Sequence, residues 1–105
     1  MIEVCITFDL QPGINQQAWA ALSQKGRDAV LQAPGLVEFR AYRNMLGSPH
    51  RRATHVWHTL GDWGTLSESA AWQAFDAESR AFTTNVRVEI WGPSPVVPAP
   101  LRPGR

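Results

Sequence analysis

The chain of 105 residues contains a single cysteine, Cys5. One cysteine excludes an internal disulfide and any zinc site built from several cysteines, and it fits a reducing cytoplasm. No apolar run approaches the roughly 20 residues that a membrane-spanning helix needs, and no basic-then-apolar leader opens the sequence. We therefore expect a cytoplasmic protein with no membrane partner.

A strong net charge and the common catalytic motifs are also missing. Ten basic and nine acidic residues give a formal net charge of +1, which is too close to neutral for a protein whose main task is to bind the phosphates of nucleic acid. The sequence contains no glycine-rich phosphate loop and no nucleophile-elbow serine. Because of the near-neutral charge, we expect no nucleic-acid partner. The carboxylates and histidines lack the spacing of metal ligands, so we also expect no metal site.

What is present is a regular change of hydrophobic period along the chain. Apolar residues alternate in 2–10, 36–44, 53–60 and 86–91, as in strands with one buried side. A helical period follows Asn15 and ends at Pro34, and a second helical stretch begins at Gly61 and is expected to break near 67–69. This order predicts an α+β fold, strand-helix-strand-strand-helix-strand, with a four-stranded antiparallel sheet and helices on one face.

Proline is concentrated at the end of the chain, where five of the eight prolines lie between Gly92 and Arg105. Proline excludes a helix or a central strand there and favours an extended, polyproline-like chain. We therefore divide the chain into one folded domain, residues 1–91, and an extended tail, residues 92–105. The tail is either a disordered end or an arm that lies across a neighbouring subunit.

Each predicted strand has one apolar side, which we assign to the helices. The residues on that side are Val4, Ile6, Phe8, Val37, Phe39, Val56, Leu60, Val88 and Ile90. The other side mixes charged residues with large aromatic ones, including Tyr42, His55, Trp57 and Trp91. Exposed aromatic side chains at that density would form a sticky patch. Packing two such faces together buries the aromatics, so the sequence predicts a twofold homodimer through this face.

Three segments, together with the element order, are similar to one known family. The segments read Thr59-Leu60-Gly61-Asp62-Trp63, Ser69-Ala70-Ala71-Trp72-Gln73-Ala74-Phe75 and Val86-Arg87-Val88-Glu89-Ile90-Trp91. On these residues the chain, from Met1 to Trp91, resembles the antibiotic-biosynthesis-monooxygenase family. The resemblance implies a ferredoxin-like fold whose sheets close into a dimeric α/β barrel. It also implies an activity such as cofactor-free oxygenation of polycyclic aromatics, haem degradation or quinol oxidation, although many members have no assigned reaction.

The haem-degrading branch of that family uses an asparagine on the first strand, a tryptophan, and a haem-ligating histidine on the second helix. Here Ile6 and Thr7 stand where the asparagine is expected, and residues 66–82 contain no histidine. Only Trp57 or Trp63 could replace the tryptophan, and a ligand from His58 would be a different design. Haem cleavage is therefore disfavoured, and we expect no cofactor.

His58 is the candidate catalytic base. The face assignment points its side chain between the sheet and the helices, where an apolar surrounding can shift the pKa of an imidazole and make it an acid or a base. The alternative is a core histidine satisfied by a backbone carbonyl. His55 is expected to face the dimer, and His50 to lie in a solvated loop. The substrate pocket is expected to be lined by Phe8, Trp19, Phe39, Val56, Trp72 and Phe75.

Two functions of different classes remain open at this point. The first is a small cofactor-independent monooxygenase or related oxidoreductase that acts on an aromatic or quinone-like molecule. The second is a non-enzymatic dimeric binding or regulatory module, in which the tryptophans fill the core. A basic cluster, Arg40, Arg43, Arg51 and Arg52, either forms a rim for an anionic ligand or is ordinary surface charge. The size of the cavity distinguishes the two functions, because drug-sized ligands need roughly 300 Å³ or more.

Overall fold

The computed structural model describes residues 1–104 and arranges them as a sheet covered by helices on one side. The elements in chain order are β1 (Ile2–Leu10), α1 (Gln16–Leu31), β2 (Leu36–Arg43), β3 (Arg51–Trp57), α2 (Leu60–Ser67), α3 (Ala70–Ser79) and β4 (Thr83–Trp91). The predicted α+β fold is confirmed, including the second helical stretch as a short helix followed by a longer one.

The four strands form one antiparallel sheet in the order β2-β3-β1-β4. The hairpin of β2 and β3 lies on one side of β1, and β4 lies on the other. A register shift between Thr7 and Asp9 marks a bulge where β1 meets β4, and Asn85 there has φ 54°. Asparagine tolerates this left-handed conformation better than most residues because its short polar side chain can hydrogen-bond locally.

Local sequence signals set the helix ends. The Asn15 side chain accepts a hydrogen bond from the backbone N–H of Ala18 (3.0 Å) and caps α1. Thr59 and Asp62 form a reciprocal capping box at the start of α2. The Ser69 hydroxyl accepts from the N–H of Trp72 (3.2 Å) and starts α3. These three caps explain why the helical stretches begin where the sequence predicts.

The core lies between β1, β3 and the helices. Its fully buried members are Val4, Val30, Trp57 and Leu66, with partly buried residues of α1 and α3 packed around them. The residues of α1 that are buried, Leu22, Gly26 and Val30, stand four apart and form one face of the helix. Gly26 faces α3 rather than the sheet, because a Cβ at this position would lie 2.7 Å from the ring of Phe75.

The predicted orientation of β3 is wrong. His55 pairs with Val4 and Trp57 with Ile2, so both share the helix-facing side of those apolar residues and are 1 % and 0 % exposed. Val56 pairs with Glu3 and therefore lies on the opposite side. An indole buries far more apolar area than an isopropyl group. Burying Trp57 consequently decides which side of β3 faces inward.

Four other residues expected to pack against the helices are more exposed than predicted. Val37 sits at a register shift between Leu36 and Glu38, so Leu36 takes the inward place and Val37 is exposed. Leu60 is the first residue of α2 and is exposed, because β3 ends at Trp57 instead of continuing through it. The register of β4 with β1 puts Val88 and Ile90 on the helix-facing side as expected, but both remain about half exposed at the sheet edge.

The tail from 92 to 104 contains no helix or strand and is exposed throughout. Arg105, the last residue of the predicted tail, lies outside the described residues. In the part of the chain that the structure describes, no helix combines the length and the apolar character needed to cross a bilayer.

Candidate functional site

Two neighbouring cavities of about 230 Å³ and 240 Å³ lie between the sheet and the helices. They share the wall residues Ile6, Phe8, Trp19, Trp72 and Phe75. Each cavity alone is smaller than the roughly 300 Å³ of a drug-sized site. A one-ring or two-ring molecule suits either cavity, and a larger ligand would have to displace the aromatic side chains between them.

Aromatic side chains from three elements, β1, α1 and α3, build the shared wall. Phe8 of β1 meets Trp19 of α1 edge-on at 5.6 Å between ring centroids. Trp72 and Phe75, on successive turns of α3, lie 5.2 Å apart. Gly26 of α1 permits the close approach of Phe75, since any side chain there would collide with its ring. Such edge-on and tilted ring pairs stabilise the wall beyond simple area burial.

The first cavity, which we call the His55 cavity, has one buried histidine in its wall. The His55 ring stacks on Phe39 at 5.4 Å and 25° and meets Trp72 edge-on at 6.0 Å. Its Nδ1 atom is fully enclosed and has no hydrogen-bond partner among the described residues. Burial lowers the pKa of His55 from 6.5 to about 4, so its imidazole is neutral at physiological pH.

The charge around the His55 cavity is of one sign. Arg27, Arg51 and Arg52 contribute to its lining, and no aspartate or glutamate does. The Arg27 guanidinium donates to the Ser23 hydroxyl (3.2 Å) and the Gln24 amide oxygen (2.9 Å). Within residues 1–104 neither Arg27 nor Arg51 forms an ion pair. An acidic group on a ligand would therefore meet uncompensated positive charge in this cavity.

Five of the six predicted pocket residues come together here. Phe8, Trp19, Phe39, Trp72 and Phe75 line the His55 cavity, whereas Val56 does not because it points to the other side of the sheet. Phe39, expected on the inner side of β2, stacks on His55. The helical period of α1 and α3 was sufficient to place their aromatics correctly.

The predicted position of His58 is wrong. The residue follows the last residue of β3, its side chain is exposed, and it lines neither cavity. Its backbone N–H donates to the carbonyl of Gly35 (2.9 Å), which ties the end of β3 to the turn before β2. Neither α2 nor α3 contains a histidine, so no residue stands where the haem-degrading proteins place their ligand.

Sequence reasoning missed His55 as a cavity residue because it assigned the wrong side of β3 to the helices. The signal that could have found it is Trp57, two residues later on the same strand, since residues two apart share a side.

Of the predicted dimer face, Tyr42 (39 % exposed) and Trp91 (56 % exposed) are accessible. His55 and Trp57 are not, because they face the helices.

His50 lies in the β2–β3 loop, as predicted, and is held there by hydrogen bonds. Its Nδ1 accepts a hydrogen bond from the N–H of Leu10 (3.0 Å), and its own N–H donates to the Asp9 carboxylate (2.9 Å). Asp9 also accepts from the Ser48 hydroxyl (2.8 Å) and the Asn85 amide (3.3 Å). The hydrogen bond from Ser48, followed by those from His50 and Asn85, holds the pKa of Asp9 below its usual value. This network fixes the β2–β3 loop to the end of β1.

Comparisons with known proteins identify other proteins of the same architecture. No model of a protein family matches the sequence, and no curated protein is similar enough in sequence to count as a relative. Solved structures do match. SnoaB, a cofactor-independent oxygenase from Streptomyces nogalater, superposes with a TM-score of 0.76 at 11 % identity over 93 % of this chain and 97 % of its own. A protein described as an antibiotic biosynthesis monooxygenase gives a TM-score of 0.70 at 13 % identity over 90 % of this chain and 100 % of its own.

The chain has the fold of the antibiotic biosynthesis monooxygenases. A third match has a TM-score of 0.64 at 8 % identity, over 86 % of this chain and 93 % of its own. It is a dimeric protein of unknown function and ferredoxin-like fold from Bacteroides fragilis. The predicted likeness to the antibiotic-biosynthesis-monooxygenase fold is thus confirmed. At such low sequence identities the match concerns the fold, and it leaves activity to be argued from the site.

Proposed function

We propose that the protein is a small cofactor-independent monooxygenase, or a related oxidoreductase, that acts on an aromatic or quinone-like molecule held between the sheet and the helices. The observation that carries the proposal is the aromatic-walled His55 cavity in a chain of this fold. The similarity in fold to a protein described as a cofactor-independent oxygenase supports it. Aromatic walls bind substrate rings through buried area and stacking.

Dioxygen is both the oxidant and the oxygen source in such a reaction. An activated methylene of the substrate loses a proton, and the resulting carbanion supplies electrons to dioxygen. Overall one CH2 group and one O2 molecule give one carbonyl group and one water, so both C–H bonds break and the second oxygen atom leaves as water. The substrate provides the electrons, and the protein contributes binding, orientation and exclusion of bulk water.

Oxygen uptake with the two-ring molecule 1-naphthol tests this proposal, because the activated methylene of its keto tautomer becomes the second carbonyl of 1,4-naphthoquinone. We expect uptake above the protein-free rate and one labelled oxygen atom in the naphthoquinone when labelled dioxygen is used. Ala41 lines the His55 cavity and is itself exposed, so Ala41→Trp should block the cavity and abolish the excess uptake. Ala21→Trp, on the exposed side of α1, is the matched control and should retain activity. Uptake equal to the protein-free rate contradicts the oxygenase proposal.

The second candidate is a non-enzymatic ligand-binding module. The small size of each cavity favours it, since about 230 Å³ leaves little room for a substrate together with dioxygen. The same experiment distinguishes the two functions. A module would bind aromatic probes with the same sensitivity to Ala41→Trp but would not accelerate oxygen uptake.

The proposal includes a homodimer formed through the sheet face opposite the helices. Tyr42 and Trp91 lie there, and Arg52 covers the Tyr42 ring at 4.3 Å. The β-strand register places Val56 on this face near the end of β3, between Glu3 and Glu38. The Bacteroides protein of ferredoxin-like fold is described as dimeric, which supports a dimer here. Docking two such faces would bury the exposed aromatic rings and remove them from water.

A further inference from the structure

His55 is buried without a protein group that explains its polarity. It is 1 % exposed, and its Nδ1 has no partner among the described residues. Burying a polar atom without a hydrogen bond is unfavourable, and native proteins usually avoid it. A phenylalanine or leucine would fill this volume without the penalty. The polarity of His55 therefore calls for a partner that is absent from the protein itself.

The groups that surround His55 are almost entirely aromatic. Phe39 of β2 stacks on the ring, Trp57 lies 6.2 Å away on β3, and Trp63 of α2 and Trp72 of α3 lie at 5.7 Å and 6.0 Å. These contacts hold the imidazole plane in place. None of them hydrogen-bonds to Nδ1. The open space that His55 borders is the His55 cavity.

We propose that His55 is the polar recognition group of this cavity, and that it hydrogen-bonds a hydroxyl or carbonyl oxygen on the ring of a bound aromatic ligand. This inference rests on the proposed function, because it assumes that the cavity holds an aromatic molecule. A neutral imidazole has one N–H donor and one acceptor nitrogen, so it can accept from a phenolic hydroxyl or donate to a quinone carbonyl.

The role is recognition rather than proton abstraction. A histidine whose pKa is about 4 is a weak base towards a phenol, and protonating it would place a charge among apolar rings. The charged groups on the helix-facing side of the same cavity are the arginines Arg27 and Arg51, which further disfavour an imidazolium. A neutral hydrogen bond carries none of these penalties. It also allows the site to distinguish a hydroxylated ring from a bare one.

Binding of 2-naphthol and naphthalene tests the inference, because the two probes differ by one hydroxyl group. Quenching of tryptophan fluorescence can report binding, since Trp19 and Trp72 line the cavity. We expect the native protein to bind 2-naphthol about 10- to 100-fold more tightly than naphthalene. His55→Phe should bind both probes with nearly equal affinity, because it keeps an aromatic ring and loses both nitrogens. His58→Phe is the matched control, since His58 is exposed and outside the cavity, and it should keep the preference.

A second measurement uses the native protein and does not depend on the variant folding. The chain has three histidines, so nitrogen NMR of histidine-labelled protein can follow each ring. We expect 2-naphthol to shift the ring nitrogens of His55 and naphthalene to leave them nearly unchanged. Equal binding of both probes by the native protein, or a preference that survives in His55→Phe, overturns the recognition role of His55 but leaves the proposed aromatic-binding function standing. Failure of the native protein to bind either probe overturns the proposed aromatic-binding function as well.

Discussion

His55 and Trp57 stand side by side on the inner face of β3, with ring centroids 6.2 Å apart and planes inclined at 69°. Each buries a nitrogen that has no hydrogen-bond partner within residues 1–104, Nδ1 of His55 and Nε1 of Trp57. The two residues differ in what lies beside them. His55 borders a cavity, whereas Trp57 is 0 % exposed and lines neither cavity. A ligand in the cavity can therefore contact the His55 ring but not Trp57.

The first prediction concerns acid stability. The pKa of His55 is lowered from 6.5 to about 4 by burial, so between these values the unfolded chain binds a proton that the folded chain does not. The free energy of unfolding should therefore fall as the pH decreases from about 6.5 to about 4, by about 3 kcal/mol at most, and this contribution should be constant above that range. Urea unfolding at several pH values measures it. His55→Phe should lack this slope, and an unchanged slope in that variant would contradict the assignment.

The second prediction concerns Gly26, where α1 approaches α3. An added Cβ would lie 2.7 Å from the Phe75 ring, so Gly26→Ala should push that ring into the cavity space. Replacing glycine by alanine stabilises a helix by about 1 kcal/mol, but overpacking destabilises the folded state by about 1–3 kcal/mol. We expect a slightly lower melting temperature and at least tenfold weaker 2-naphthol binding. Gly64→Ala on α2, where a Cβ meets nothing within 4 Å, is the control and should not weaken binding.

The third prediction concerns the proposed dimer. Val56 lies on the outer sheet face near the end of β3 and pairs with Glu3 and Glu38 on its two neighbouring strands. Val56→Glu would add a third carboxylate beside these two and bury it in a face-to-face dimer while leaving the monomer core untouched, so we expect a monomer where the native protein is a dimer. Sedimentation equilibrium measures the mass. Val37→Glu is the control, since Val37 is exposed at the start of β2. A native protein that sediments as a monomer would refute the dimer.

The fourth prediction concerns the β2–β3 loop. Asp9 accepts hydrogen bonds from Ser48, His50 and Asn85, and these hold its pKa below the usual value. Its contribution to stability should therefore be present above about pH 4 and be lost as the pH falls through the lowered pKa. Asp9→Ala should speed amide hydrogen exchange at His50 by about tenfold or more at neutral pH. The exchange of Val4 in the central strand should change little, and a uniform increase would indicate global destabilisation instead.

The sequence was sufficient for features that depend on neighbouring residues. The alternation of β1 set its bounds, because each apolar residue from Ile2 to Leu10 stands two positions from the next. Asn15 and Pro34 bounded α1 through capping and the loss of a backbone donor. The break between α2 and α3 followed from Ser69, whose hydroxyl caps the second helix. These features depend on residues close together in the chain, so the sequence alone was enough to predict them.

The tertiary structure alone decided which histidine borders the cavity. Side chains of a strand alternate with a period of two, so an error in choosing the inner side exchanges every residue between the faces. In β3 both sides carry residues that can be buried, with Thr54 and Val56 on one side and His55 and Trp57 on the other. Packing of Trp57 against Trp63 in α2 selected the second pair. That contact joins the sheet to a helix, and its burial energy outweighs the local hydrophobic pattern of the strand.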